Sequence, residues 1–109
     1  MFDGLWTVEF ISAINRYGAG VLVVNGNRLL GGDDGYYYSG TWIINGNTLN
    51  ATITVLKHNP NSVSVFGNID HFQLNLAGEI TEYQFNATGT IANNPQAQIQ
   101  VVGTKREDL

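Results

Sequence analysis

Asn25-Gly26-Asn27-Arg28-Leu29-Leu30-Gly31-Gly32-Asp33-Asp34-Gly35-Tyr36-Tyr37-Tyr38-Ser39-Gly40-Thr41-Trp42 holds two turns and the most aromatic strand of the chain. Asn-Gly is a dipeptide that accepts positive φ at both central positions of a tight hairpin turn. A short strand, Arg28 to Leu30, follows it, and Gly-Gly-Asp-Asp-Gly then demands a backbone that few residues other than glycine can follow. In the aromatic run, Tyr36, Tyr38, Gly40, Trp42 and Ile44 share one parity, which in a strand means one face. The window predicts the tight corner of a meandering antiparallel sheet.

The neighbouring segments carry the same period. Trp6, Val8 and Phe10 alternate with Thr7 and Glu9 in a first strand from about Gly4 to Ser12, and Asn15-Arg16-Tyr17-Gly18 turns the chain into the apolar run Ala19 to Val24. Asn45-Gly46-Asn47 makes a second Asn-Gly hairpin. Leu49, Ala51, Ile53 and Val55 then alternate with Asn50, Thr52 and Thr54, as in a half-buried strand. Lys57 to Ser62 is a loop by composition. Val63 and Val65 have odd parity but Phe72, Leu74 and Leu76 even, so a bulge or kink is expected near Gly67-Asn68. Turns are expected at Ala77-Gly78-Glu79 and at Asn93-Asn94-Pro95-Gln96. Between them Tyr83, Phe85, Ala87, Gly89 and Ile91 face one way, and after them Ala97, Ile99, Val101 and Gly103 alternate.

About eight strands joined by short hairpins, with no helical spacing anywhere, define an all-β chain. An open sheet of that size leaves its apolar face wet and both edges unpaired. Closing it into an up-and-down barrel corrects both at once; a two-sheet sandwich would do nearly as well, but meander connectivity favours closure. The expected organisation is one barrel domain over residues 1–104, with residues 105–109 as a polar C-terminal tail.

Composition narrows the function. A 43% hydrophobic chain of 109 residues supports one core, and zero cysteines exclude disulfides and Cys-ligated metal. Five basic against nine acidic residues, a formal charge of −4, argue against nucleic acid as a direct ligand. Met1-Phe2-Asp3-Gly4 enters a strand without a secretory signal, and no apolar run has membrane-helix length. A cytoplasmic location without membrane contact is therefore expected, and the Asn-x-Thr matches at Asn50 and Asn86 are read as chance.

No residue cluster supports catalysis, a metal or a cofactor. His58 and His71 lack metal-site spacing. Asp33 and Asp34 are neighbours that point apart, better suited to bonding their own turn. The glycine-rich corner lacks the Lys-Ser/Thr of a phosphate loop. Gly4-Leu5-Trp6, repeated as Gly40-Thr41-Trp42, has the Gly-x-Trp form of lipocalin-type barrels; its plainer reading is a packed Trp closing one barrel end. Trp6, Phe10, Tyr36, Tyr38, Trp42, Phe72, Tyr83 and Phe85 are the candidates for an interior surface that holds an apolar ligand.

Asp3-Gly4-Leu5-Trp6 through Phe10-Ile11-Ser12, Gly18-x-Gly20-Val21-Leu22-Val23, Gly26-Asn27, Gly31-Gly32-Asp33 and Tyr36-Tyr37-Tyr38-x-Gly40 together resemble the GrlR-type family of small bacterial β-barrel proteins. Lys57-His58-Asn59-Pro60 and Ser62-Val63-Ser64-Val65-Phe66-Gly67 extend the likeness, which covers roughly residues 2 to 104. The resemblance implies a calycin- or lipocalin-like barrel, a homodimer, and negative regulation of type III secretion genes by binding a basic activator protein. The family's partner-binding mark is a run of alternating Glu and Asp in one hairpin. This chain has Ile44-Asn45-Gly46-Asn47 there, with no carboxylate, so those gripping residues do not carry over. Two functions are thus expected. One is a regulatory module that binds a protein partner, with Ile44, Asn45, Gly46, Asn47, Asp33 and Asp34 as candidate contacts. The other is a carrier or sensor of a small apolar ligand.

Overall fold

The computed structural model describes residues 2–64 and 70–109, Pro95 by its backbone alone. Strands β1 (Gly4–Ser12), β2 (Tyr17–Asn25), β3 (Arg28–Gly32), β4 (Tyr36–Asn45), β5 (Thr48–Lys57), β6 (His71–Ile80), β7 (Gln84–Ile91) and β8 (Asn94–Asp108) follow one another. Each pairs antiparallel with the next, and β8 returns to β1, closing an up-and-down barrel of eight strands. Alternation sets the two faces. Trp6, Val8, Leu22, Val24, Leu29, Trp42, Ile53, Leu74, Phe85 and Val101 are buried inside, while Asn50, Thr52, Asn75, Thr88 and Gln100 lie outside. The exterior is mostly polar, apart from the exposed Leu5, Val21, Val23, Leu30, Tyr37 and Ile43. No helix among the described residues is long and apolar enough to cross a membrane.

Both Asn-Gly hairpins form, one residue out of the expected frame. Asn25 pairs with Arg28 and Asn45 with Thr48, so Gly26-Asn27 and Gly46-Asn47 are the central residues. Only the glycines have positive φ, at 62° and 61°. This is the turn class with glycine at the first central position, whose twist matches the flanking strands.

Three other expectations need correction. Ala77-Gly78-Glu79 is not a turn but lies within β6. Gly78 passes so close to β7 that a Cβ there would run into the Asn86 carbonyl, which is why glycine sits in mid-strand. The chain turns instead at residues 81–83, where Thr81 N–H donates to the Gln84 carbonyl at 2.8 Å. Likewise the last turn falls at Ala92-Asn93, and Asn94 already belongs to β8. The expected bulge near Gly67-Asn68 lies outside the described residues.

The third correction is the tail. Residues 105–108 continue β8: Lys105 pairs with Trp6, Glu107 with Leu5 and Asp108 with Gly4. Lys105 N–H donates to the Tyr83 carbonyl at 2.8 Å, and Arg106 Nε to Thr7 Oγ1 at 2.9 Å. A polar composition suggested a tail, but the solvent side of a seam strand is polar for the same reason as that of its neighbours. Deleting residues 105–109 is expected to lower stability by about 2–4 kcal/mol, several hydrogen bonds at about 0.5–1.5 kcal/mol each. Urea denaturation checks it; an unchanged midpoint would restore the tail reading.

Candidate functional site

The strand connections divide the barrel into two unlike ends. The β2–β3 and β4–β5 turns share one end with the N-terminal residues, and that end is sealed by rings. Trp6 and Trp42 stand edge to face with centroids 6.3 Å apart, and Phe85 lies 5.5 Å from Trp6 and 6.2 Å from Trp42. Phe2 caps Trp42 at 6.1 Å. Trp6 Nε1 donates to the Phe2 carbonyl at 2.9 Å and Trp42 Nε1 to the Gly26 carbonyl at 3.4 Å, so both buried indoles are satisfied.

Toward the other end this packed cluster stops and a cavity of about 370 Å³ begins. Val8, Leu22, Ile53, Val55, Leu74, Leu76, Ile99 and Val101 form its walls, Phe85 its floor, and Phe10, Phe72, Tyr36 and Tyr38 its upper part. Sequence reasoning missed how glycines make this room. Phe10 faces Gly18 across β1–β2, and Phe85 faces Gly103 across β7–β8; a Cβ on either glycine would run into the opposite ring. Each ring therefore occupies space over bare backbone that a side chain on the opposite strand would otherwise fill. Gly20 does the same for Tyr38, whose hydroxyl lies 2.9 Å from where its Cβ would be.

The rim is the Gly-Gly-Asp-Asp-Gly corner with the loop that follows β5 fastened over it. Asp33 Oδ1 accepts from Gly35 N–H at 2.9 Å and Tyr36 N–H at 2.8 Å, the side-chain turn expected of this residue. Its other oxygen accepts a hydrogen bond from the Tyr38 hydroxyl. His58 N–H and Asn59 N–H both donate to the Gly35 carbonyl, at 2.9 and 3.2 Å. The His58 Nε2–H group meets the Asp33 carbonyl at 3.0 Å, and Asn59 Nδ2 the Asp34 carbonyl at 3.4 Å. These bonds carry Ser62, Val63 and Ser64 to the cavity mouth.

Burial, and then the Asp33 carboxylate, push the Tyr38 hydroxyl far above its ordinary value of 10.0. Because the folded state holds this proton more tightly than the unfolded chain, the associated stability is complete below pH 10.0 and is lost as pH rises above it. We expect the wild-type protein to lose up to about 1.4 kcal/mol per pH unit more than Tyr38→Phe in that range. Thermal melts at alkaline pH test this, and parallel curves for the two proteins would contradict it.

The predicted site residues thus separate. Phe10, Tyr36, Tyr38, Phe72 and Phe85 line the cavity; Trp6 and Trp42 form the plug beyond its floor. Tyr83 does not belong. It is 61% exposed in the β6–β7 turn, one residue before the alternation that its parity seemed to continue. Nor do the candidate protein contacts form one surface. Asn45, Gly46 and Asn47 are exposed at the plugged end, and Ile44 packs on the core. Asp33 and Asp34 sit at the opposite end of β4, with Asp33 turned to the cavity.

These features define an eight-stranded antiparallel barrel, plugged at one end and hollow toward the other. No family model and no curated protein matches the chain. Among solved structures it is similar to a redesigned beta barrel, at 12% identity over 97% of this chain and 92% of that one, with a TM-score of 0.46. A likeness of that degree carries no argument, and the fold stands on the strand pairing itself.

Proposed function

We propose that this protein is a non-enzymatic carrier or sensor that holds one small apolar molecule in the barrel. The observation that carries this reading is the cavity of about 370 Å³. It falls in the range of about 300–1,000 Å³ typical of ligand pockets, with apolar walls and a few polar groups at one end. Water is a poor filler, because each molecule needs 2–4 polar partners and these walls supply them only near the rim. An apolar solute suits the space better. Titration with N-phenylnaphthylamine, a neutral fluorophore that brightens in apolar surroundings, is expected to show saturable one-to-one binding. Native mass spectrometry of freshly purified protein is expected to show a co-purifying small molecule. A flat titration together with an empty mass spectrum would remove the reading.

A second reading keeps the regulatory function of the GrlR-type resemblance, a cytoplasmic homodimer that binds a protein partner. Leu5, Val23 and Leu30 favour it: they are exposed and lie in one row across β1, β2 and β3 on the outer face. Exposed apolar side chains in register are what a contact face needs. On this reading sedimentation gives a dimer that Leu30→Glu converts to a monomer. A wild-type monomer at high concentration would count against the homodimer.

A further inference from the structure

We infer that the Tyr38–Asp33 pair selects the polar end of the ligand, admitting an apolar molecule that ends in a hydrogen-bond donor and rejecting one that ends in a carboxylate. This rests on the proposed cavity function and adds the chemical class of the ligand. A phenol has one proton, and Tyr38 spends it on the Asp33 carboxylate. What its oxygen still offers the cavity is a lone pair, and an acceptor can be met only by a donor. Asp33 cannot swing away to release that proton, because Gly35 N–H and Tyr36 N–H hold its other oxygen at 2.9 and 2.8 Å. The pair lines the cavity at its open part, where the polar end of an inserted chain comes to rest.

Charge points the same way. Asp33 and Asp34 both line the rim, and none of the described lining residues is a Lys, Arg or His. Four basic side chains stand near this end, of which Arg16 beside Tyr17 and His71 beside Phe72 are exposed and do not line the cavity. Lys57 is occupied elsewhere, with Nζ 2.8 Å from Asp70 and 5.8 Å from the centre of the Tyr36 ring. The His58 ring is engaged with the Asp33 carbonyl. A fatty-acid carboxylate entering this mouth would meet lone pairs and negative charge, with no cation to pair it. An alcohol or an amine of the same length finds an acceptor.

The test is displacement of bound N-phenylnaphthylamine by three chains of matched length: decanol, its isomer nonyl methyl ether, and decanoate, at about pH 8, where a carboxyl is ionised. Decanol is expected to bind about fivefold more tightly than the ether, the worth of one net hydrogen bond, and at least about tenfold more tightly than decanoate. In Tyr38→Phe the advantage of decanol over the ether should disappear. In Asp33→Asn the penalty on decanoate should shrink; since that change also disturbs the corner, Tyr38→Phe is the decisive variant. Decanoate binding as well as decanol, or the ether matching decanol in the wild type, overturns the inference while leaving the cavity reading intact. Failure of the fluorophore to bind, together with an empty mass spectrum, removes the cavity reading itself.

Discussion

Trp6→Ala is expected to lower the stability of the barrel by about 3–5 kcal/mol, the usual cost of deleting a buried Trp. Trp6 has no exposed surface and touches every part of the plug. Its ring meets Trp42 edge to face and leans on Phe85, and its indole N–H holds the Phe2 carbonyl. Truncation leaves that carbonyl unpaired, removes two ring contacts, and extends the cavity through its floor. Domains have only about 5–15 kcal/mol in total, so the variant is expected to be partly unfolded near body temperature. Trp6→Phe keeps most of the ring contact and should retain more than half of the lost stability. Urea denaturation of the three proteins decides the matter. A loss for Trp6→Ala below about 1.5 kcal/mol would mean that the aromatic plug is not what closes the barrel.

The second large effect concerns the hollow end. Val55→Phe combined with Val101→Phe is expected to abolish fluorophore binding, weakening it at least about a hundredfold, a loss of about 2.7 kcal/mol. Both valines line the cavity, Val55 from β5 and Val101 from β8, so their rings would approach from separate walls. Room exists for them: Val101 pairs with the small Ala87, and the cavity receives the added atoms. Overpacking a full core costs about 1–3 kcal/mol, whereas filling a void recovers lost contacts. The melting temperature should therefore stay close to wild type or rise. Undiminished binding in this variant would place the fluorophore outside the barrel and end the carrier reading. Loss of binding with loss of fold would be resolved by either single variant, which is expected to weaken binding about tenfold while remaining folded.

The same residues explain what a reader of the sequence gets right and wrong. Tyr36, Tyr38 and Trp42 share a parity and share the interior, because a paired strand cannot turn one residue without turning all. Tyr83 shares parity with Phe85 but sits before the strand begins, and parity has no meaning in a turn. Gly78 resembles turn chemistry, yet it is glycine because a neighbouring strand crosses too closely for a side chain. The polar stretch from Lys105 looks like a loose end, but it is one side of the closing seam. Each error has one cause: the deciding contact comes from a strand distant in sequence.

Local periodicity and turn dipeptides alone determined that this chain is all-β and meandering, and favoured closure over a sandwich, since those signals depend only on near neighbours and on the need to cover one apolar face. Whether the closed barrel is solid or hollow was beyond them. Two barrels with the same inward residues differ according to which rings lie over glycines. That depends on the register between strands, Phe10 with Gly18 and Phe85 with Gly103. The Tyr38–Asp33 pair likewise exists only because the corner folds Asp33 back over β4. Volume and polarity at the mouth, and hence the function proposed, are properties of the assembled sheet.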